Sequence, residues 1–78
     1  MARYFFHTAD GSRDRDEDGV DLPDIQAARL EAIRYVGEML SQHPDLLGTG
    51  QDFCVEVMNE HDQLMFKVVT RGIDLSPH

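Results

Sequence analysis

The sequence predicts an α+β domain in which one helix packs on a small, mainly antiparallel sheet, with the elements in the order β-β-α-β-β. Three observations predict this fold. The stretch 24–43 repeats apolar residues at helical spacing, segments with strand-like alternation lie on both sides of it, and a polar turn at 59–62 joins the last two segments. Because the chain has only 78 residues, we expect one domain, 1–78, that buries about 60% of the unfolded chain's surface.

The predicted helix runs from Asp24 to His43. Asp24 is the expected N-cap, because its carboxylate can accept hydrogen bonds from the first free backbone N–H groups. Pro44 disfavours helical geometry in the residue before it, so the helix is expected to end near His43. The apolar residues recur every three or four positions and form one stripe that is expected to face the core: Ile25, Ala28, Ala32, Val36, Met39 and Leu40.

The first predicted strand is 3–8, which contains three consecutive aromatic residues of the kind that favour strands. Side chains alternate between the two faces of a strand, so Tyr4 and Phe6 are expected to face the helix. Phe5 and His7 are then expected on the back of the sheet. Only a second layer or another subunit would cover them there.

Three further strands are predicted at 19–22, 52–58 and 63–70, and the last two form a hairpin. Alternation again divides their side chains between the two faces of the sheet. The residues expected to face the helix are Val20, Leu22, Phe53, Val55, Val57, Leu64, Phe66 and Val68.

Several side chains expected on the back of the sheet are apolar, namely Phe5, Cys54, Met58, Met65 and Val69. A contiguous patch of this kind favours association. We therefore predict a homodimer through the back or an edge of the sheet, with an interface formed by Phe5, His7, Met58, Met65 and Val69. The alternative, scattered apolar residues on the surface of a monomer, is equally compatible with the sequence.

The charge of the chain restricts its partners. Fifteen acidic residues against seven basic ones give a net charge of -8, which repels both nucleic-acid phosphates and anionic membranes. A basic protein or a cation remains compatible with this charge. The single cysteine, Cys54, permits no intrachain disulfide, and the sequence shows neither an apolar signal segment nor a membrane-spanning run, so we expect a cytoplasmic protein.

One acidic segment contains the first half of a calcium-binding loop, the pattern D-x-D-x-D-G formed by Asp14, Asp16, Asp18 and Gly19. In such loops alternate carboxylates converge on a hard cation, and the glycine permits a sharp turn. The second half departs from the pattern, because Ile25 occupies the twelfth position, where a bidentate Glu is usual. A solvated acidic loop is therefore the first interpretation, and a calcium-binding protein that uses the acidic loop from Asp14 to Asp24 is the alternative.

The sequence does not suggest catalysis. Cys54 lies in a predicted strand without an adjacent histidine, and the histidines are dispersed singly along the chain. Neither a glycine-rich phosphate loop nor a dinucleotide fingerprint is present in the sequence. We therefore predict a non-enzymatic protein-interaction or regulatory module, without a cofactor, that acts through an acidic face and a sheet surface.

Several short motifs allow a family comparison: RYFFH at 3–7 with DG at 10–11, DGV-x-LPD at 18–24, and AA-x-x-EA at 27–32. Together they resemble a family of short bacterial proteins known only as a domain of unknown function. That resemblance implies no activity, ligand or catalytic residue. The segment 20–32 is also similar to HicB-type antitoxins, in which a strand leads through a Pro-Asp segment into a helix on a small sheet, and this similarity implies a basic toxin as partner.

Overall fold

The computed structural model describes residues 1–10, 13–47 and 51–75. Its elements are β1 (Ala2–Ala9), β2 (Arg13–Asp14), β3 (Val20–Leu22), α1 (Ile25–Gln42), β4 (Phe53–Met58) and β5 (Leu64–Thr70), with a 3-10 helix at Pro44–Leu47 between α1 and β4. The predicted α+β class and the order of the predicted elements are confirmed. Two described elements were not predicted: β2, a two-residue strand inside the acidic segment, and the 3-10 helix at Pro44–Leu47.

The sheet is antiparallel and is built around β1, which lies between β4 and an edge formed by two short strands. β3 pairs with the start of β1, with Ala2 opposite Leu22, whereas β2 pairs with its end, with Ala9 opposite Arg13. β4 pairs with β1 on one side and with β5 on the other. Among the described residues β5 is therefore one outer edge of the sheet, and β2 with β3 forms the other, interrupted edge.

Local signals fix the ends of α1 where the sequence predicts them. The Asp24 carboxylate accepts a hydrogen bond from the Ala27 N–H at 2.9 Å, as an N-cap residue does. At the other end the His43 N–H donates to the Met39 carbonyl at 2.8 Å. The centre of the predicted stripe is buried, and its remaining members pack at the margin of the core. The buried helix residues are Ala28, Ala32 and Val36.

The core lies between α1 and the face of the sheet that β1 and β4 present to it. The sheet contributes Tyr4, Phe53, Val55 and Val57, all buried, and the small side chains of Ala28 and Ala32 leave room for them. Phe6, Leu22, Phe66 and Val68 are partly buried around this cluster, as predicted. Burying each large apolar side chain contributes about 1.5–3 kcal/mol, so this one layer carries most of the hydrophobic stabilisation.

A bulge in the β4–β5 hairpin overturns one prediction about β5. Val57 lies opposite Phe66, but Met58 lies opposite Leu64, so Met65 is an extra residue in the ladder. Leu64 therefore follows Met58 to the back of the sheet instead of facing the helix, and half of its surface is exposed. The prediction that Leu64 faces the core is wrong.

Candidate functional site: an acid-lined groove beside the interrupted edge

The Asp16 side chain occupies the gap between β2 and β3 and binds the central strand. Its Oδ2 atom accepts a hydrogen bond from the Phe6 N–H at 3.2 Å, in the part of β1 that neither short strand reaches. Its Oδ1 atom accepts from the N–H groups of Asp18 and Gly19, each at 3.1 Å. In return the Asp16 N–H donates to Nδ1 of His7 at 2.9 Å. One carboxylate thus replaces the missing strand partner of β1.

This environment keeps the Asp16 carboxylate charged. Partial burial by itself raises the pKa of the Asp16 carboxyl, since it disfavours the charged form. The backbone hydrogen bonds from Gly19, Phe6 and Asp18 outweigh that effect, and the electrostatic interaction with His7 lowers the pKa further. The pKa of Asp16 is consequently lowered from its ordinary value, so the group is an anion at neutral pH.

The acidic segment covers part of the back of the sheet, which changes the predicted interface. His7 and Met58 were expected to be exposed there, but only 2% and 9% of their surfaces are accessible. Phe5 is half-buried, and only Met65 and Val69 are exposed. The expected exposure of His7 and Met58 is therefore wrong. His7 is covered because the segment 15–19 lies against β1 on that face, and Met58 lies between Phe5 and Leu64 of the two neighbouring strands.

Gly19 permits this close approach. Its φ angle is +74°, in the left-handed region, and a Cβ atom added there would lie 2.9 Å from both Arg3 Cγ and Phe5 Cε2. Only glycine adopts this geometry without strain or a collision. The Asp-x-x-Gly sequence of residues 16–19 therefore serves the packing of the segment on the sheet.

We expect the Gly19→Ala substitution to lower the free energy of unfolding by about 1–2 kcal/mol, through backbone strain and collision with Phe5. Gly37→Ala is the matched control, because an added Cβ in the middle of α1 meets no atom within 4 Å. That change should raise the free energy of unfolding by about 0.5–1 kcal/mol through helix propensity. Urea denaturation of both variants provides the measurement, and equal effects would contradict the packing role of Gly19.

A groove of about 360 Å³ lies between α1 and the interrupted edge. Its apolar wall consists of Phe6, Val20 and Tyr35, and its carboxylates are those of Asp14, Asp16 and Glu31; Thr8 and Arg15 complete the lining. Val20 faces the helix side of the sheet, as predicted, because it lies opposite the buried Tyr4. It is nevertheless 44% exposed, because β3 is at the edge of the sheet, and it lines the groove instead of the core.

Two arginines beside the groove, among the residues whose side chains are described, are paired with carboxylates. Arg34 forms salt bridges with Glu31 and with Glu38 on the surface of α1. The Arg15 guanidinium lies 3.9 Å from an Asp62 carboxylate oxygen in the turn between β4 and β5. The groove therefore combines an apolar wall with three carboxylates and one arginine among its lining residues, an arrangement that suits an amphipathic cation.

The structure does not arrange Asp14, Asp16 and Asp18 as a calcium site. Both oxygens of Asp16 accept backbone hydrogen bonds. In the ranges 1–10, 13–47 and 51–75, no group of three or more His, Cys, Asp or Glu side chains is placed to hold a metal ion. Calcium binding by this segment stays a prediction from the sequence motif.

The fold and the groove together define a small α+β domain with one layer of sheet, one helix and an acidic edge. The chain belongs to the family described as Domain of unknown function (DUF6894), which matches residues 3–70. This match confirms the resemblance to a family of unknown function. No curated protein and no solved structure matches the chain. Within the described residues, no helix has the length and apolar character needed to cross a membrane.

Proposed function

We propose that this protein is a non-enzymatic binding module whose groove receives a basic side chain of a partner protein. The proposal rests on one observation: a groove of about 360 Å³ is lined by three carboxylates together with an apolar wall. This volume is near the lower end of the range of ligand pockets, so it suits a single side chain better than a large ligand.

Lysine and arginine have the chemistry that such a groove would select. Their aliphatic stems can pack on Phe6 and Val20 while the charged head group reaches the carboxylates. Arginine has the further advantage that its planar guanidinium can stack on Tyr35 and bind a carboxylate through two N–H groups. The net charge of -8 would also steer a basic partner toward the protein.

The carboxyl groups support binding rather than acid–base catalysis. A carboxylic acid that donates a proton near neutral pH needs a raised pKa. The pKa of the Asp16 carboxyl is instead lowered. A carboxylate that stays charged suits a site that holds a cation. The proposal includes a cytoplasmic location, where a single free cysteine such as Cys54 stays reduced.

The test uses a fluorescent peptide containing arginine and a second peptide in which citrulline, which has the same shape without the charge, replaces each arginine. We expect the arginine peptide to bind more tightly, and Glu31→Gln to weaken that binding about fivefold. Glu38→Gln is the matched control, because Glu38 also pairs with Arg34 but lies outside the groove. Its dissociation constant should change by less than about twofold. Fluorescence anisotropy at two salt concentrations provides the measurement.

The outcomes separate groove binding from general attraction between opposite charges. Asp14→Asn in the groove should weaken binding, whereas Asp74→Asn, which removes the same charge from the exposed segment after β5, should not. Equal binding of the arginine and citrulline peptides, or equal losses in the groove and control variants, would refute the proposal.

A further inference from the structure

The outer edge of β5 is open to another strand. β5 pairs with β4 only, so among the described residues the backbone N–H and C=O groups on its other side have no strand partner. Beyond the bulge at Met65, the residues from Phe66 to Thr70 continue in regular register with β4. They form an uninterrupted template of five residues. Such an edge is a site for strand addition unless the protein protects it.

Edge strands are usually protected from pairing by prolines or charged side chains, and the side chains along this edge give little such protection. Leu64, Met65 and Val69 are 53%, 44% and 54% exposed. The segment 64–70 contains no proline, and its single charged residue, Lys67, lies across the sheet with Nζ 3.7 Å from a Glu56 oxygen. An apolar edge strand of this kind favours pairing.

The helix extends the apolar surface on the other face of the same edge. The Arg29 guanidinium lies 5.0 Å from the centre of the Phe66 ring, which places that flank of α1 above β5. Ile33 follows Arg29 by one turn on this flank and is exposed. Apolar groups therefore flank β5 on both faces of the sheet.

The distribution of charge indicates which partner this edge accepts. Lys67 and Arg71 are the only charged residues from 63 to 71, in a chain with a net charge of -8. The acidic residues of the segment 14–21 lie at the opposite edge of the sheet. Two copies that meet through their β5 strands keep these acidic edges at the two far ends of the joined sheet, so the two 14–21 segments do not face each other. A basic partner would instead be attracted to the acidic edge.

We infer that two copies of this protein pair through their β5 strands in antiparallel orientation and form one continuous sheet. Val68 is the centre of the regular stretch, and a two-fold axis there places the Val68 side chains of the two copies opposite each other. Lys67 of each copy then lies opposite Val69 of the other copy. An axis at Lys67 would place two lysines opposite each other, which is unfavourable.

Analytical ultracentrifugation of the full chain over a range of concentrations tests this dimer. We expect a monomer–dimer equilibrium in the parent protein. Val69→Lys should raise the dimer dissociation constant about tenfold or more, because it places a lysine opposite each Lys67. Val69→Glu should change it by less than about twofold, since a carboxylate then faces Lys67. Leu30→Lys, on the solvent side of α1, is the control for an apolar-to-lysine change.

A disulfide trap tests the register directly. Directly opposite residues in antiparallel strands lie about 4.5–5.5 Å apart at Cα, within the range that a disulfide spans. In a Cys54→Ala background, Val68→Cys should therefore form a covalent dimer on mild oxidation, and circular dichroism confirms that each variant is folded.

Three results would overturn the inference: a parent protein that stays monomeric at about 1 mM, equal weakening by Val69→Lys and Leu30→Lys, or a folded Val68→Cys variant that does not cross-link. The dimer uses the edge opposite the groove. If the protein did not dimerise, peptide binding in the groove would be unaffected. The dimer and the proposed groove function are therefore tested separately.

Discussion

Asp16→Ala is expected to lower the free energy of unfolding by about 2–3 kcal/mol at neutral pH, because backbone N–H groups then lose a charged acceptor. The loss includes the 3.2 Å bond from Phe6, in the part of β1 that has no other strand partner on that side among the described residues. Released from β1, the segment 15–19 should also uncover His7. Urea denaturation measures the first effect, and hydrogen exchange of the Phe6 amide measures the local opening.

The effect of Asp16→Ala should depend on pH in a defined direction. The folded state lowers the pKa of Asp16, so this carboxylate stabilises the fold above its unfolded pKa of about 3.9. That contribution disappears as the pH falls through the lower, folded-state pKa. The difference in the free energy of unfolding between the parent and Asp16→Ala should thus have its maximum value above about pH 5 and decrease below about pH 4.

Asp18→Ala is the control for the loss of an acidic side chain from this segment. Asp18 is exposed, and its contacts with Arg3 and with Asp16 use its backbone carbonyl and N–H, which the substitution keeps. We expect a change within about 0.5 kcal/mol. A loss as large as that of Asp16→Ala would show that the segment responds to net charge, not to the Asp16 hydrogen bonds.

Phe53→Ala should have the largest effect on stability, a loss of about 3–5 kcal/mol in the free energy of unfolding. The Phe53 side chain is almost fully buried beneath α1. The backbone carbonyl of Phe53 accepts a hydrogen bond of 2.7 Å from the Thr70 hydroxyl across the hairpin, and the substitution keeps this bond. A domain of this size has a total stability of about 4–12 kcal/mol. The variant should therefore be largely unfolded in mild urea, as circular dichroism would record.

Leu30→Ala is the control for Phe53→Ala, because it also removes a large apolar side chain but from the exposed side of α1. We expect a change of less than about 0.5 kcal/mol. If both variants lost similar stability, the single layer between α1 and the sheet would not be the main core of this protein.

The helix and the inward faces of the long strands were predictable because their signals are local and periodic. The stripe through Ala28, Ala32 and Val36 repeats at helical spacing, and Asp24 and His43 mark the two ends, as the structure confirms. Alternation likewise placed Phe53 and Val55 in the core. Each of these features depends on neighbours within a few residues, so the sequence displays it directly.

Leu64 and His7 show where this reasoning stops. Alternation assumes an unbroken ladder, and the bulge at Met65 shifts Leu64 to the other face. No local signal in the sequence marks that extra residue. His7 was placed on the correct face of β1, but its burial depends on the segment 15–19, which returns to the strand from a distance in sequence.

Asp16 combines a local contact with a distant one. Its hydrogen bonds from Asp18 and Gly19 form a turn that an Asp-x-x-Gly sequence favours, so this part could be anticipated. Its bond from Phe6 joins residues ten positions apart in the chain. The sequence favoured a solvated loop for this carboxylate, with metal ligation as the alternative, whereas in the fold it accepts a hydrogen bond from the central strand.

By itself, the sequence determined the helix, every strand except β2, the core-facing stripe, the excess of negative charge and the family. The tertiary structure alone decided that the acidic segment lies against β1, that a groove opens beside Glu31 and Tyr35, and that β5 is an edge strand among the described residues. The reason is physical: periodicity records which side of an element is buried, but grooves and edges depend on which distant elements become neighbours. That arrangement follows from the free energy of the whole fold, and short stretches of sequence do not encode it.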